Sequence, residues 1–76
     1  MESLLNAPKG VFRVKKILGG ESLSKKLSIM GIYEGSIVEK KISYGRGPVI
    51  VKVGSSEIAI GRGMSAKIMV EKEKWS

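Results

Sequence analysis

The sequence contains no cysteine, histidine, aspartate, threonine or glutamine, and its 76 residues include a single asparagine. Without cysteine there is no disulfide framework, no thiolate metal site and no thiol redox chemistry. Without imidazole, thiol and aspartate no catalytic triad can be assembled, so enzymatic activity is not expected. The glutamates are scattered along the chain. Because ferrous iron and zinc sites normally recruit imidazole or thiolate, we expect neither a metal site nor a cofactor.

Long apolar runs and aromatic side chains are scarce as well. No stretch approaches the roughly 18 apolar residues that a membrane-spanning helix needs. The start of the chain has neither the basic region nor the long apolar region of a signal peptide. These absences predict a cytoplasmic protein with no transmembrane segment of its own. An aromatic content of 5% is low for a polyproline-binding groove or for stacking single-stranded bases.

Positively charged side chains outnumber negatively charged ones in this sequence. Lys and Arg number 14 against 7 acidic residues, which gives a net charge of +7. Such a charge favours acidic partners, nucleic acid or an anionic membrane surface. Most of these charges are lysines interleaved with glutamate on the expected polar faces of strands, which is typical of a solvated surface. The excess of Lys and Glu over thermolabile residues also indicates a thermophilic source.

The stretch from Leu23 to Gly31 combines helical spacing with a stop signal. Leu23, Leu27 and Met30 stand at i, i+4 and i+7, so they share one stripe of a short helix. Gly31 is expected at the C′ position with a positive φ, which brings Ile32 into apolar contact with Leu27 in a Schellman cap. The helix is therefore expected to end at this glycine and to pack its apolar stripe on the core.

The residues on either side of the helix have their own signals. Ser22 is the expected N-cap, because its hydroxyl is suited to accept a free N–H of the first turn. Gly35 is suited to the i+2 position of a type II turn over Tyr33–Ser36, where φ is positive.

Upstream of the helix, Phe12 and Val14 share one strand face. Since Ile17 falls on the other face, we expect a β-bulge near 15–16 that brings it inward.

The remaining chain alternates in short strands separated by turns. The segment 36–43 is expected to bury Val38 and Ile42, and segments 49–53 and 57–60 are expected to pair as a hairpin. A single 3₁₀ turn over 64–67 precedes a last strand over 68–72. This order predicts a mostly β, small SH3-like antiparallel barrel of about five strands, with a short helix between the first and second strands. An OB barrel would usually place its helix between the third and fourth strands.

Two glycine-rich loops place arginine between glycines, which raises the question of phosphate binding. They are Tyr44–Gly47 and Gly61–Gly63. Neither opens a long helix and neither fits a P-loop or a dinucleotide fingerprint. We therefore expect turns that happen to carry arginine.

The sequence resembles the ferrous iron transport protein A family, FeoA, over nearly its whole length. The resemblance is carried by the order and spacing of Lys25–Gly35, Gly47–Val53, Ile58–Arg62, Ala66 and Ile68–Val70. The family has a basic residue and Leu before a Met/Leu-Gly-Ile/Leu, then a Gly-Pro-hydrophobic strand, then an Ala before the last strand. This chain departs from the family at Glu34, where Pro usually precedes the glycine and fixes φ in the turn.

The resemblance implies a single FeoA-like domain over residues 1–76 with an SH3-like barrel fold. It also implies a small, non-catalytic accessory or regulator that binds FeoB, the membrane ferrous iron transporter with an amino-terminal GTPase domain, at the inner face of the membrane. No DNA binding is expected, although a basic nucleic-acid-binding module is the alternative function, and self-association through a strand edge is left open. Because the chain lacks the residue types of a catalytic site, we assign partner binding to the helix and the exposed loops. The assigned residues are Lys25, Lys26, Tyr33, Tyr44, Arg46, Arg62 and Met64.

Overall fold

The computed structural model describes residues 1–43 and 45–74, which form one antiparallel sheet and two short helices. Along this part of the chain the elements are β1 (Glu2–Ser3), β2 (Gly10–Ile17), α1 (Gly20–Ile29), β3 (Ile37–Ser43), β4 (Val49–Val53), β5 (Ser56–Ile60), α2 (Arg62–Ser65) and β6 (Ile68–Lys72). The sheet order is β1-β6-β2-β3-β4-β5. All of its strand pairs are antiparallel, as predicted. Six strands against two short helices in the described residues confirm the mostly β prediction.

The strand count differs from the expected five because the amino end forms a strand of its own. Glu2 and Ser3 pair with Val70 and Met69 of β6. Two residues are too few to show an alternating pattern, so the sequence carried no signal for this strand. The helix α1 consequently lies between the second and third strands, not between the first and second.

The predicted bulge in β2 is confirmed. Val14 pairs with Val70 of β6 and Lys16 pairs with Met69, so the register shifts at Lys15. Phe12 and Val14 are fully buried on one side of this shift. On the other side Ile17 packs against the core cluster, because the extra residue restores its side-chain direction.

The helix α1 begins earlier than expected and ends where it was expected to end. Its N-cap is Gly19 with φ of 103°, and no side chain caps it, so the prediction of Ser22 as N-cap is wrong. Glycine reaches this left-handed conformation at no steric cost, and it turns the chain out of β2. At the other end the Ile32 N–H donates to the Leu27 carbonyl at 2.9 Å, as a Schellman cap requires.

The turn after α1 forms as predicted even though it lacks the usual proline. The Ser36 N–H donates to the Tyr33 carbonyl at 3.0 Å, and Gly35 has φ of 94°. The Ser36 hydroxyl donates to the same carbonyl at 2.8 Å. An Arg13 guanidinium N–H donates to the Gly35 carbonyl at 2.9 Å. These bonds fix the turn where the family uses a proline ring.

The strand β3 contains a second bulge that the sequence analysis did not anticipate. Its pairing with β4 shifts register between Lys40 and Ile42. Val38 is fully buried as predicted, but Ile42 is 37% exposed, so the prediction that it faces the core is wrong. One inserted residue reverses the side-chain direction, which sends Ile42 to the outer surface.

The rest of the core follows the sequence pattern closely. The predicted inward residues Val49, Val51, Ile60, Ile68 and Val70 are fully buried, whereas Val53 and Ile58 are only partly buried. The hairpin of β4 and β5 is confirmed. In place of a 3₁₀ turn over 64–67 there is the short helix α2, which begins two residues earlier and ends in a 3₁₀-type bond from the Lys67 N–H to the Met64 carbonyl.

A buried lysine ties the amino-terminal segment to the sheet. Lys40 is 4% exposed, and its Nζ donates to the carbonyls of Leu4 at 2.9 Å, Leu5 at 3.0 Å and Ala7 at 2.6 Å. Three acceptors match the three N–H bonds of an ammonium group. Burial lowers the pKa of Lys40 below its ordinary value of 10.5, and the nearby Glu2 carboxylate opposes that shift.

Substitution of Gly31 tests the cap. We expect Gly31→Val to reduce the free energy of unfolding by more than about 1 kcal/mol. Its φ of 85° is unfavourable for a side chain, and an added Cβ would lie 3.1 Å from Val53 Cγ1. A loss of this size lowers the melting temperature of so small a domain by about 4–8 °C. The matched control is Gly35→Val. Its φ of 94° gives the same backbone strain, but an added Cβ would have no atom within 4 Å, so the control lacks the contact with Val53. An unchanged melting temperature for Gly31→Val would contradict the cap.

Substitution of Lys40 tests the carbonyl cradle. We expect Lys40→Met to reduce the free energy of unfolding by at least about 2 kcal/mol, because it leaves carbonyls without donors. Its neighbour Lys41 provides the control, since it is exposed and its ion pair with Glu39 spans 3.6 Å. Lys41→Met should change stability by less than about 0.5 kcal/mol. Chemical denaturation measures both, and faster hydrogen exchange of the Leu4 N–H, which donates to the Ile68 carbonyl at 2.8 Å, would report release of the segment.

Candidate recognition groove

An open groove of about 330 Å³ lies between α1, the end of β2 and the turn that follows α1. We call it the helix–turn groove. Its lining residues are Ile17, Glu21, Ser24, Lys25, Ser28, Tyr33 and Glu34. The helical members stand at i, i+3, i+4 and i+7 from Glu21, so they share one face of α1. The bulge in β2 and the hydrogen-bonded turn hold the opposite wall.

The helix–turn groove combines apolar and charged side chains. Ile17 supplies an aliphatic surface and Tyr33, which is 54% exposed, supplies an aromatic one. Glu21 and Glu34 add carboxylates and Lys25 adds an ammonium group around them. The lining contains no imidazole or thiol that could act as a base or nucleophile. The arrangement is suited to an apolar side chain flanked by charged ones.

Two of the predicted partner-binding residues meet in this groove. Lys25 and Tyr33 both line it. Lys26 is exposed on α1 but is not part of the lining. The sequence analysis missed Ile17, Glu21, Ser24, Ser28 and Glu34. The helical spacing of Glu21 with Ser24, Lys25 and Ser28 was a usable signal for this face, but nothing local linked it to the end of β2.

The other predicted residues belong to a different part of the fold. The Arg62 guanidinium donates to the Gly45 carbonyl at 2.6 Å, which joins the start of α2 to the loop between β3 and β4. Arg46 is exposed in that loop. Met64 packs against the core cluster, so much of its side chain is unavailable to a partner. Tyr44 lies outside the described residues.

Neither a metal cluster nor a membrane helix is present in the residues that the structure describes. No three carboxylates among them converge in a way that could hold an ion. No helix within 1–43 and 45–74 has the length and apolar character to cross a bilayer.

A six-stranded antiparallel sheet with a helix after its first long strand is typical of an SH3-like fold. The sequence model of the FeoA domain matches residues 3–72. The chain therefore belongs to the FeoA domain family, as its motifs indicated. The match extends from β1 to the end of β6, so it includes every residue of the helix–turn groove.

Individual relatives agree with this assignment. A protein of Methanocaldococcus jannaschii (strain ATCC 43067 / DSM 2661 / JAL-1 / JCM 10045 / NBRC 100440) named "Putative Fe(2+) transport protein A" is 50% identical over 58 residues, which are 76% of this chain and 70% of that protein. The crystal structure of an iron uptake regulatory protein (FeoA) superposes with a TM-score of 0.86 at 34% identity, covering 95% of this chain and 96% of that one.

A more distant structure supports the fold. Stenotrophomonas maltophilia FeoA complexed with zinc, described as a procaryotic SH3 domain protein, superposes with a TM-score of 0.67 at 18% identity. The superposition covers 93% of this chain and 91% of that one. The SH3-like architecture predicted from the sequence is thereby confirmed.

Proposed function

We propose that this protein is an accessory of ferrous iron uptake that binds the cytoplasmic part of a FeoB-type transporter. Membership of the FeoA domain family supports this role, as does 50% identity to a relative whose name refers to Fe(2+) transport. The protein acts as one FeoA-like domain at the inner face of the membrane, where its partner holds it. It binds and does not catalyse, which agrees with the absence of histidine, cysteine and aspartate.

The helix–turn groove is the observation that carries the proposal. Its volume of about 330 Å³ is at the lower end of ligand pockets, which span roughly 300–1,000 Å³. A peptide segment of the transporter places an apolar side chain against Ile17 and Tyr33. Basic side chains beside it face Glu21 and Glu34, and an acidic one faces Lys25. Anchors of this kind dominate the binding energy of protein interfaces.

The rim of the groove carries both negative and positive side chains, and this pattern makes the orientation of the partner specific. The protein carries a net charge of +7, yet two carboxylates lie in this one groove. A partner that is uniformly acidic is attracted to the rest of the surface but repelled by Glu21 and Glu34. Charge patterns of this kind set partner choice and register more than raw affinity. The proposed partner segment therefore mixes apolar and basic residues.

Groove variants test the docking site. We expect Tyr33→Ala and Lys25→Glu each to weaken binding to the purified cytoplasmic domain of the transporter at least about tenfold, which is about 1.4 kcal/mol. The loss follows from removing an anchor or reversing a rim charge. Titration calorimetry in the GTP-analogue and GDP states measures the dissociation constants. Lys26→Glu should fold normally, and its dissociation constant tells whether the outer face of α1 belongs to the same surface.

The matched control is Lys9→Glu, which makes the same charge change outside the groove. Lys9 precedes β2, whereas Ile17 ends it, so the two are separated by about 25 Å of extended strand. Equal losses for Lys9→Glu and Lys25→Glu would contradict the groove and indicate attraction to net charge alone. Absence of binding at high micromolar concentration in both nucleotide states would contradict the proposed function itself.

The alternative of nucleic-acid binding has a separate test. Stacking platforms require exposed aromatic side chains on a sheet face, but among the described residues Phe12 is fully buried in the core and the exposed Tyr33 lies in a turn outside the sheet. We therefore expect no binding of a labelled single-stranded or duplex oligonucleotide in fluorescence anisotropy at about 50 mM salt, where non-specific attraction is strong. Binding that weakens about 1,000-fold or more by about 200 mM salt would instead favour a nucleic-acid module.

A further inference from the structure

The strand β5 forms one edge of the sheet along its full length. It pairs with β4 on one side and stands last in the sheet order. The opposite edge is β1, which has only two residues, whereas β5 has five. Along β5, therefore, main-chain groups lie at an edge to which no other strand of the described residues is paired.

The edge of β5 has one charged residue and none of the other features that usually prevent pairing. Edge strands are commonly protected by lysine, proline or a bulge. The sequence of β5 is Ser-Glu-Ile-Ala-Ile, and its register with β4 runs without a shift. Its single charge is Glu57. An edge with so little protection favours the addition of another strand.

The geometry of the hairpin determines which main-chain N–H and C=O groups of β5 point away from β4. The loop is Gly54–Ser55, and Val53 pairs directly with Ser56. Gly54 has φ of 61°, which suits a two-residue hairpin loop. In such a hairpin the flanking pair is hydrogen-bonded and the pairs alternate from there. The N–H and C=O groups of Glu57 and Ala59 therefore point away from β4.

An apolar row on the outer face of the sheet runs up to this edge. Ile42 pairs with Ile50, and Ile50 pairs with Ala59. Ile42 is exposed because of the bulge in β3, Ile50 is half-buried and Ala59 is exposed. The row thus crosses three strands and ends at the open edge. Cross-strand neighbours on one face are the unit that stabilises a sheet.

We propose that a second copy of this chain adds to β5 in antiparallel fashion about a two-fold axis at Ala59. Ala59 then faces Ala59 of the other copy, and Glu57 faces Gly61. The Ala59 N–H of each copy donates to the Ala59 carbonyl of the other, and the Gly61 N–H of each copy donates to the Glu57 carbonyl of the other. This gives four main-chain hydrogen bonds, while the Gly61 carbonyl accepts the Ser65 N–H of its own chain. Gly61 has φ of −58° and ψ of 153°, so it continues the extended conformation.

This register is selected by side chains as well as by the main chain. It joins the two apolar rows into one, with Ile42, Ile50 and Ala59 from each copy. It also brings Glu57 beside Gly61 and close to the following Arg62, whose guanidinium carries the opposite charge. An axis at Glu57 would oppose two carboxylates, which is destabilising. An axis at Ile58 would place Glu57 in the row opposite Ala59 and interrupt it.

The resulting dimer is symmetric and weak. A five-residue edge buries less than the roughly 800 Å² per partner of a standard stable interface. We therefore expect dissociation constants from tens to hundreds of micromolar. The pairing uses residues outside the helix–turn groove, so its outcome is independent of the proposed binding to the transporter.

Cysteine substitution tests the register directly, because the natural chain has no cysteine. Facing residues of a hydrogen-bonded antiparallel pair have Cα atoms about 5.5 Å apart, within the range for a disulfide. We expect Ala59→Cys to form a disulfide-linked dimer under mild oxidation at least about tenfold faster than Glu57→Cys and Ser55→Cys. In the proposed register the two Glu57 Cα atoms are separated by about 14 Å, four residues along the strand and one strand across, too far for a bond.

Sedimentation velocity of the unmodified chain and of charge variants completes the test. From about 10 µM to about 1 mM we expect a rising dimer fraction that Ala59→Lys abolishes, since like charges then meet at the axis, and that Ser55→Lys retains. Thermal melts of the reduced variants confirm folding. A chain that stays monomeric throughout, as it would if only a strand of another protein fits this edge, would overturn the proposal. So would equal crosslinking of all three cysteine variants, or fastest crosslinking of Glu57→Cys.

Discussion

The two-residue period of a β-strand is the constraint on which the rest of this structure depends. The strand β2 must bury Phe12 and Val14 in the sheet and then turn Ile17 toward the helix, and strict alternation cannot do both. The bulge at Lys15 resolves the conflict. At the same point Val14 donates its N–H to the Ser36 carbonyl at 2.9 Å and accepts the Gly35 N–H at 2.8 Å. One inserted residue thereby positions the helix, the turn and the groove between them.

A buried charge makes the amino terminus part of the fold. Isolated ammonium groups are costly to bury, and the cost is offset only where hydrogen bonds replace water. Lys40 meets that condition with three carbonyls of the segment between Leu4 and Ala7. Leu4 is in turn fully buried. The segment and the strand β3 therefore stabilise each other, and β1 extends that contact to β6.

The two proposed recognition surfaces on this small barrel differ in chemistry. The helix–turn groove presents an aliphatic and an aromatic side chain between charges of both signs, which suits a peptide segment. The edge of β5 presents main-chain groups and an apolar row, which suits a strand. Neither surface requires a catalytic group or a metal ligand, in agreement with the limited set of residue types.

Local patterns in the sequence determined much of this protein, because the signals act over a few residues. The Gly31 cap, the turn at Gly35, the bulge near Lys15 and most inward strand positions depend on neighbours within one turn or one strand. The strand β1, the bulge at Lys41, the burial of Lys40 and the meeting of Ile17 with Glu21 and Tyr33 were decided by tertiary structure. Each depends on a partner distant in sequence, whose carbonyl or side chain no local pattern specifies.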